Sequence, residues 1–162
     1  MTGLDRLWAG WRSEYIATAA ADGDTDACVL CRVVADGEHA VWRGDAVAVI
    51  LNAYPYTSGH VLVLPVRHCA TPEDLEPAEA TELWAAVTDG VKALKTAYRP
   101  QGVNIGANIG EAAGAGVPGH FHVHALPRWN GDTNFMTSVA NARVMPEALP
   151  VTLDKLRAAW PV

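Results

Sequence analysis

The run Gly119-His120-Phe121-His122-Val123-His124-Ala125-Leu126-Pro127-Arg128 sets three histidines at alternate positions between apolar residues. A helix would scatter them, whereas a β-strand points i, i+2 and i+4 to one face. His120, His122 and His124 are therefore expected in a row, neighbours about 6.6 Å apart at about 3.3 Å per residue. Phe121, Val123 and Ala125 would face a core, and Pro127 would stop the strand. Half of the chain's six histidines lie here. Clustered imidazoles suit two chemistries: ligation of a metal, or nucleophilic attack by a ring that is neutral near pH 7. Spacing alone leaves both open.

The frame around this run is that of one domain of 162 residues, 50% hydrophobic and 19% charged. A formal net charge of −6 with 12 Lys and Arg argues against a broad nucleic-acid surface, though not against a nucleotide in a pocket. No apolar run approaches the ~20 residues of a membrane span. The start Met1-Thr-Gly-Leu-Asp-Arg6 lacks secretory-signal character, so a cytoplasmic location is expected. Cys28-x-x-Cys31, with Cys69 as the third cysteine, reads as metal or redox chemistry rather than a disulfide framework.

Apolar residues Leu4, Leu7, Trp8, Trp11 and Tyr15 keep helical spacing over 4–16, and 17–27 reads as a loop. His39–Arg43 and Val47–Leu51 about Gly44-Asp45 fit a hairpin. Asn52–Gly59 is turn chemistry, and His60–Pro65 is a strand. Thr71-Pro72-Glu73-Asp74 opens a helical turn, and Pro77 divides it from a long helix over 78–98 with Leu83, Trp84, Val87, Val91, Leu94 and Tyr98 as its packing positions. Val103–Ile109 is a strand, 129–150 is irregular, and a short helix over 151–160 presents Val151, Leu153, Leu156 and Trp160. A meander of strands interrupted by one long helix gives an α+β fold with a mainly antiparallel sheet.

The segment Gly110–Gly119 carries many glycines directly before the histidines. It serves either as a flexible connection or as a nest whose backbone N–H groups approach an anion. The run His120–Arg128 resembles the histidine triad (HIT) superfamily signature. Asn52, eight residues before His60 in Gly59-His60-Val-Leu-Val-Leu-Pro65, and the glycine-rich approach match in order. Arg6-Leu7-Trp8, Trp11-Arg12, Tyr15, Pro127-Arg128-Trp129, Gly131-Asp132 and Asn134-Phe135 resemble the branch with diadenosine tetraphosphate phosphorylases and hydrolases.

The resemblance implies a sheet of about five strands with helices on one side, a HIT core over 28–129, an N-terminal helix and loop over 1–27 and a C-terminal extension over 130–162. It implies that His122 attacks the α-phosphorus of an AMP-containing nucleotide to give a nucleotidyl-histidine, which water or inorganic phosphate resolves. His124 would bind the phosphate and His60 would orient the site. Asn52 would meet the ribose, Asn108 the phosphate or leaving group, and the backbone of Gly116 and Gly119 the oxyanion. Arg128 is a phosphate contact or a surface cation, and Trp129 a base contact or part of a dimer interface. Cys28, Cys31, His68 and His120 would hold a structural Zn²⁺ in a closed Cys₂His₂ set, with no organic cofactor; two buried reduced cysteines are the alternative. A homodimer extending the sheet is expected. One departure stands out: Ala115-Gly116-Val117-Pro118 supplies no hydroxyl where the family places Ser or Thr. A nucleoside phosphoramidate substrate, or a nucleotide sensor with little turnover, are the other functions considered.

Overall fold

The computed structural model describes residues 28–132 and 147–161. The sequence readings for 1–27 and 133–146 lie outside the described residues. The described elements run α1 (Val29–Asp36), β1 (Ala40–Arg43), β2 (Val47–Leu51), β3 (Val61–Pro65), α2 (Pro77–Tyr98), β4 (Gly102–Gly106), β5 (Val123–Arg128) and α3 (Leu149–Ala159), with short 3₁₀ turns at Pro72–Asp74 and Glu111–Ala113. The strands form a five-stranded sheet in the order β1-β2-β3-β5-β4. Every neighbouring pair is antiparallel.

The alternating pattern sorts residues between two cores. On one face, Val47, Val49, Leu51, Val61, Val63, Val123 and Ala125 meet Leu83, Ala86, Val87 and Leu94 of α2 and Leu156 of α3. On the other, Ala48, Ile50, Leu62 and Leu64 meet Leu30 and Val34 of α1. Helices thus lie on both faces, not on one as expected from the resemblance. The strands β2 and β3 are buried along their whole lengths because both faces are covered. No helix among the described residues is long and apolar enough to cross a membrane.

Local chemistry explains most boundaries. Gly37 takes φ 71° at the C-terminus of α1, a left-handed cap that glycine adopts without Cβ strain. At α2, Pro77 occupies the first turn and Glu79 reaches back to the Glu76 N–H at 2.9 Å. Arg67 holds the same carboxylate through Nε at 3.0 Å and Nη2 at 2.7 Å. The guanidinium keeps Glu79 below the usual carboxylate range.

Several readings change. The helix after Cys28 was not foreseen, because its eight residues include three valines and no preferred N-cap side chain. Trp84 is 61% exposed rather than packed, and Val151 is also exposed. β4 ends at Gly106, so Ile109 lies beyond it. β5 continues through Pro127 to Arg128. Its ladder to β3 covers only Val123–Ala125, so Pro127 withholds no N–H from that neighbour.

Candidate active site

The three histidines share a side but not a regular row. Phe121, Val123 and Ala125 pack into the α2 core as the alternation predicts. The strand, however, begins only at Val123. His120 and His122 precede it, because the Phe121 N–H is spent on the Cys69 carbonyl at 2.7 Å and the His120 N–H on Val117 at 3.3 Å. Each ring then meets different partners.

His120 is fully buried. Its Nε2–H donates to the Pro65 carbonyl at 2.9 Å. Its Nδ1 faces two sulfurs, Cys28 Sγ at 3.5 Å and Cys31 Sγ at 3.4 Å. His68 Nδ1 is 3.3 Å from Cys31 Sγ. One ring nitrogen has a single in-plane direction for a hydrogen bond, so two sulfurs converging on it are better satisfied by a shared cation. With Zn–S of about 2.3 Å and Zn–N of about 2.0–2.1 Å, a tetrahedral S···N edge is about 3.5 Å, matching these separations. The four ligand atoms of Cys28, Cys31, His68 and His120 all lie within 4.8 Å of one another. The set fits a closed tetrahedral metal site. α1 builds half of it, placing Cys28 at the helix entrance and Cys31 one turn on. Without a metal, burial first and then Cys28 push the Cys31 thiol up to about 11, so metal uptake must displace a proton there.

His122 is buried, and its Nδ1–H donates to the His120 carbonyl at 2.7 Å. That bond puts the ring proton on Nδ1 and the lone pair on Nε2. Burial pushes the pKa of His122 down, against the pull of that hydrogen bond, and keeps the ring neutral.

His124 is set the opposite way. The Tyr56 backbone N–H, which can only donate, meets His60 Nδ1 at 3.1 Å. The His60 proton must then be on Nε2, which lies 2.9 Å from His124 Nδ1. His124 Nδ1 accepts, so its own proton is on Nε2. His122 and His124, with ring centroids 5.0 Å apart, carry opposite tautomers. A lone pair and an N–H donor at one site can attack an electrophile and support a leaving group.

Asn52 joins the cluster. Its Oδ1 accepts the Tyr54 N–H at 2.9 Å, while its Nδ2 is 3.4 Å and 3.5 Å from the two nitrogens of His60. Near-equal distances put the amide over the ring rather than at its edge. Tyr56 was missed in the sequence. Its ring lies 4.7 Å from His60 and stacks on His124 at 6.0 Å, and only its place within the Asn52–His60 turn hinted at this. Asn108 Nδ2 donates to the Gly114 carbonyl at 3.2 Å, stapling the glycine segment. That segment is an ordered 3₁₀ turn, with Gly110 at φ 77° and Gly114 at φ 85°, and Gly116 and Gly119 follow it, half-buried.

Arg128 and Trp129 are not drawn to the histidines. Arg128 donates to Asp132 through Nε at 2.6 Å and Nη2 at 2.8 Å, and to Asn104 Oδ1 at 2.8 Å. It lies four residues along β5 from His124, about 13 Å at strand rise. Asp132 and Asn104 engage three of the five Arg128 N–H donors, tying the guanidinium to the end of β5. Trp129 packs edge-on against Tyr98 of α2, at 6.3 Å between ring centroids.

Known proteins resemble this chain in sequence and fold. The model for the HIT domain matches residues 36–131. An AP-4-A phosphorylase of Mycobacterium tuberculosis is 35% identical over 165 residues, covering 97% of this chain and 85% of that protein. An asymmetrical bis(5'-nucleosyl)-tetraphosphatase of Schizosaccharomyces pombe is 35% identical over 96 residues, 59% of this chain and 52% of that protein. A zinc-bound histidine triad family protein from Mycobacterium smegmatis superposes with a TM-score of 0.68 at 29% identity, covering 84% of this chain and 94% of that one. With its fold, its histidine run and these likenesses in agreement, the chain belongs to the HIT domain family.

Proposed function

We propose that this protein cleaves a dinucleoside polyphosphate of the diadenosine tetraphosphate type at the α-phosphorus, through a nucleotidyl-His122 intermediate. The observation that carries this reading is the opposed tautomers of His122 and His124. The His122 Nε2 lone pair forms a bond to phosphorus as the bond to the bridging oxygen breaks, and the electron pair leaves with the polyphosphate. The Nε2–H of His124 supports that oxygen. The His120 carbonyl, bonded to the His122 Nδ1–H, stabilises the charge on the substituted ring. Water or inorganic phosphate then attacks phosphorus, the P–N bond breaks, and neutral His122 returns.

Asn52 and Asn108, with the backbone of Gly116 and Gly119, are assigned to the ribose and phosphates; Arg128 and Trp129 instead secure the far end of β5. Cys28, Cys31, His68 and His120 would hold zinc, which supplies cross-linking when bound and leaves no coordination position for substrate. Thiol ligands suit a reducing compartment such as the cytoplasm. A homodimer through β4 is part of this reading, since β4 is an edge strand of the sheet among the described residues and Asn104, Ile105 and Gly106 are exposed there. The names of the AP-4-A phosphorylase and the tetraphosphatase support the substrate class.

A nucleoside phosphoramidate is the second reading, since the missing hydroxyl at Ala115–Pro118 leaves the leaving group open. One experiment separates the possibilities. The protein is incubated with diadenosine tetraphosphate with and without phosphate, and the products are identified. Phosphate-dependent ADP plus ATP is phosphorolysis, and AMP plus ATP without phosphate is hydrolysis. Cleavage of an adenosine phosphoramidate alone refutes the dinucleotide assignment.

A further inference from the structure

The turn that carries Tyr56 is fastened to the end of β5. The Thr57 hydroxyl donates to the Pro127 carbonyl at 3.1 Å. The turn also closes on itself, the His60 N–H donating to the Thr57 carbonyl at 3.2 Å and the Asn52 N–H to the His60 carbonyl at 3.0 Å. Gly59 lets this backbone lie close against Tyr98, Leu94 and Pro127; a Cβ there would come within 2.9 Å of the Tyr98 ring. A backbone held at these points carries the Tyr56 side chain to a fixed place. Its ring is tilted 47° against His60 at 4.7 Å between centroids, and lies within 21° of parallel to His124 at 6.0 Å. His60 and His122 are buried, whereas His124 is half-buried. Three rings bear on it: the Nε2–H of His60 at its edge, His122 edge-on, and the face of Tyr56.

We propose that Tyr56 is a positioning residue whose ring walls the His124 imidazole, keeping Nδ1 on the His60 N–H and the Nε2–H aimed at the oxygen that leaves phosphorus. This rests on the reading of His124 as the donor to that oxygen. A hydrogen bond at one nitrogen holds an imidazole by its edge and tolerates tilting of the plane; a flat ring alongside resists the tilt. As the P–O bond breaks, charge gathers on the departing oxygen and the bond from His124 strengthens. An oxygen that carries charge poorly depends on that bond most. The effect of Tyr56 must therefore scale with the leaving group.

Two substrates test this, adenosine 5′-(4-nitrophenyl phosphate) and adenosine 5′-phenyl phosphate. Both would give the same nucleotidyl-His122, but phenolate binds a proton more tightly than 4-nitrophenolate and leaves less readily. In Tyr56→Leu, which is apolar without a flat face, kcat/KM is expected to fall about tenfold for the phenyl ester and no more than about twofold for the nitrophenyl ester. Tyr56→Phe, which restores the face, is expected to bring the phenyl ester back to within about twofold of the wild type. A loosened site without this role would lower both esters alike. A second readout needs no substrate. In the full chain labelled with ¹⁵N-histidine, the coupling between His60 Nε2 and His124 Nδ1 across their hydrogen bond is expected in the wild type and Tyr56→Phe, and to fall to about half or less in Tyr56→Leu as the bond bends.

Equal losses on the two esters in Tyr56→Leu, an unchanged phenyl ester, or a Tyr56→Phe variant as impaired as Tyr56→Leu overturns the proposal. So does an undiminished coupling in Tyr56→Leu. If that variant does not fold, Tyr56→Met, also apolar and without a flat face, decides by the same measurements. Failure of the wild type to cleave either ester counts against the proposed function, and the coupling still decides this inference.

Discussion

His60 is the residue through which the site's proton polarity is most directly tested. It is 1% exposed and makes two directional bonds, accepting from Tyr56 N–H at 3.1 Å and donating to His124 Nδ1 at 2.9 Å. His60→Phe keeps the ring volume and removes both. Each stranded partner costs about 1–3 kcal/mol, and Tyr56 is only half-buried, so a loss of about 2–4 kcal/mol in urea unfolding is expected. The functional loss is of another kind. His124 no longer has a donor at Nδ1, its proton is no longer confined to Nε2, and kcat is expected to fall about a hundredfold, within the range of a general acid's contribution. His60→Gln is the decisive comparison. A glutamine amide presents a carbonyl that can accept from Tyr56 and an NH₂ that can donate to His124, restoring the same polarity without a titratable ring. It is expected to recover kcat to within about tenfold of the wild type. Steady-state kinetics with ¹⁵N spectra of His124 measure both effects. Equal activity in His60→Phe and wild type, or equal loss in the Phe and Gln variants, would refute the polarity argument.

His122→Asn is expected to lower turnover by about 10⁴-fold or more, the scale seen when a nucleophile is removed, and to abolish the nucleotidyl-protein adduct seen by mass spectrometry in rapidly quenched wild-type reactions. Leu156→Ala, which empties a position where α3 enters the main core, is expected to cost about 2–5 kcal/mol in chemical unfolding with KM unchanged; a neutral result would mean that α3 does not belong to that cooperative unit. In metal-free protein, burial pushes His120 from its ordinary 6.5 down to about 4, so the unfolded chain takes up the proton first as pH falls. Stability of the metal-free form should therefore decline between about pH 6.5 and pH 4, and be unaffected by this group above that window. Thermal melts in that range check it, and a flat profile would contradict it.

Local patterns were legible where one short-range rule dominated. The hairpin of β1 and β2 follows from β-rich runs about Gly44-Asp45, and α2 from helical spacing after Pro77. The grouping of Cys28, Cys31, His68 and His120 is also implied by the family resemblance, which supplies the pairing between segments 89 and 92 residues apart. Features set by tertiary packing were not legible. The bonds of Arg128 to Asp132 and Asn104 do not show in the spacing. Trp84 fits the α2 spacing but stands outside the arc that meets the sheet. Tyr56 carried no motif, and its role comes from a backbone N–H facing a ring four residues on.

The alternation of His120, His122 and His124 with Phe121, Val123 and Ala125 was enough to turn the histidines away from the α2 core, because side-chain direction along extended chain has a period of two. Nothing in that alternation distinguishes one imidazole from the next. The tertiary structure separates them by what it brings to each Nδ1: two sulfurs for His120, a carbonyl for His122 and the Nε2–H of His60 for His124. An imidazole takes its tautomer from its hydrogen-bond partners. Those of His120 and His124 come from α1, the end of β3 and the turn before it, and for His122 the carbonyl takes its orientation from the folded approach to β5. Three identical side chains thereby acquire three different sets of partners.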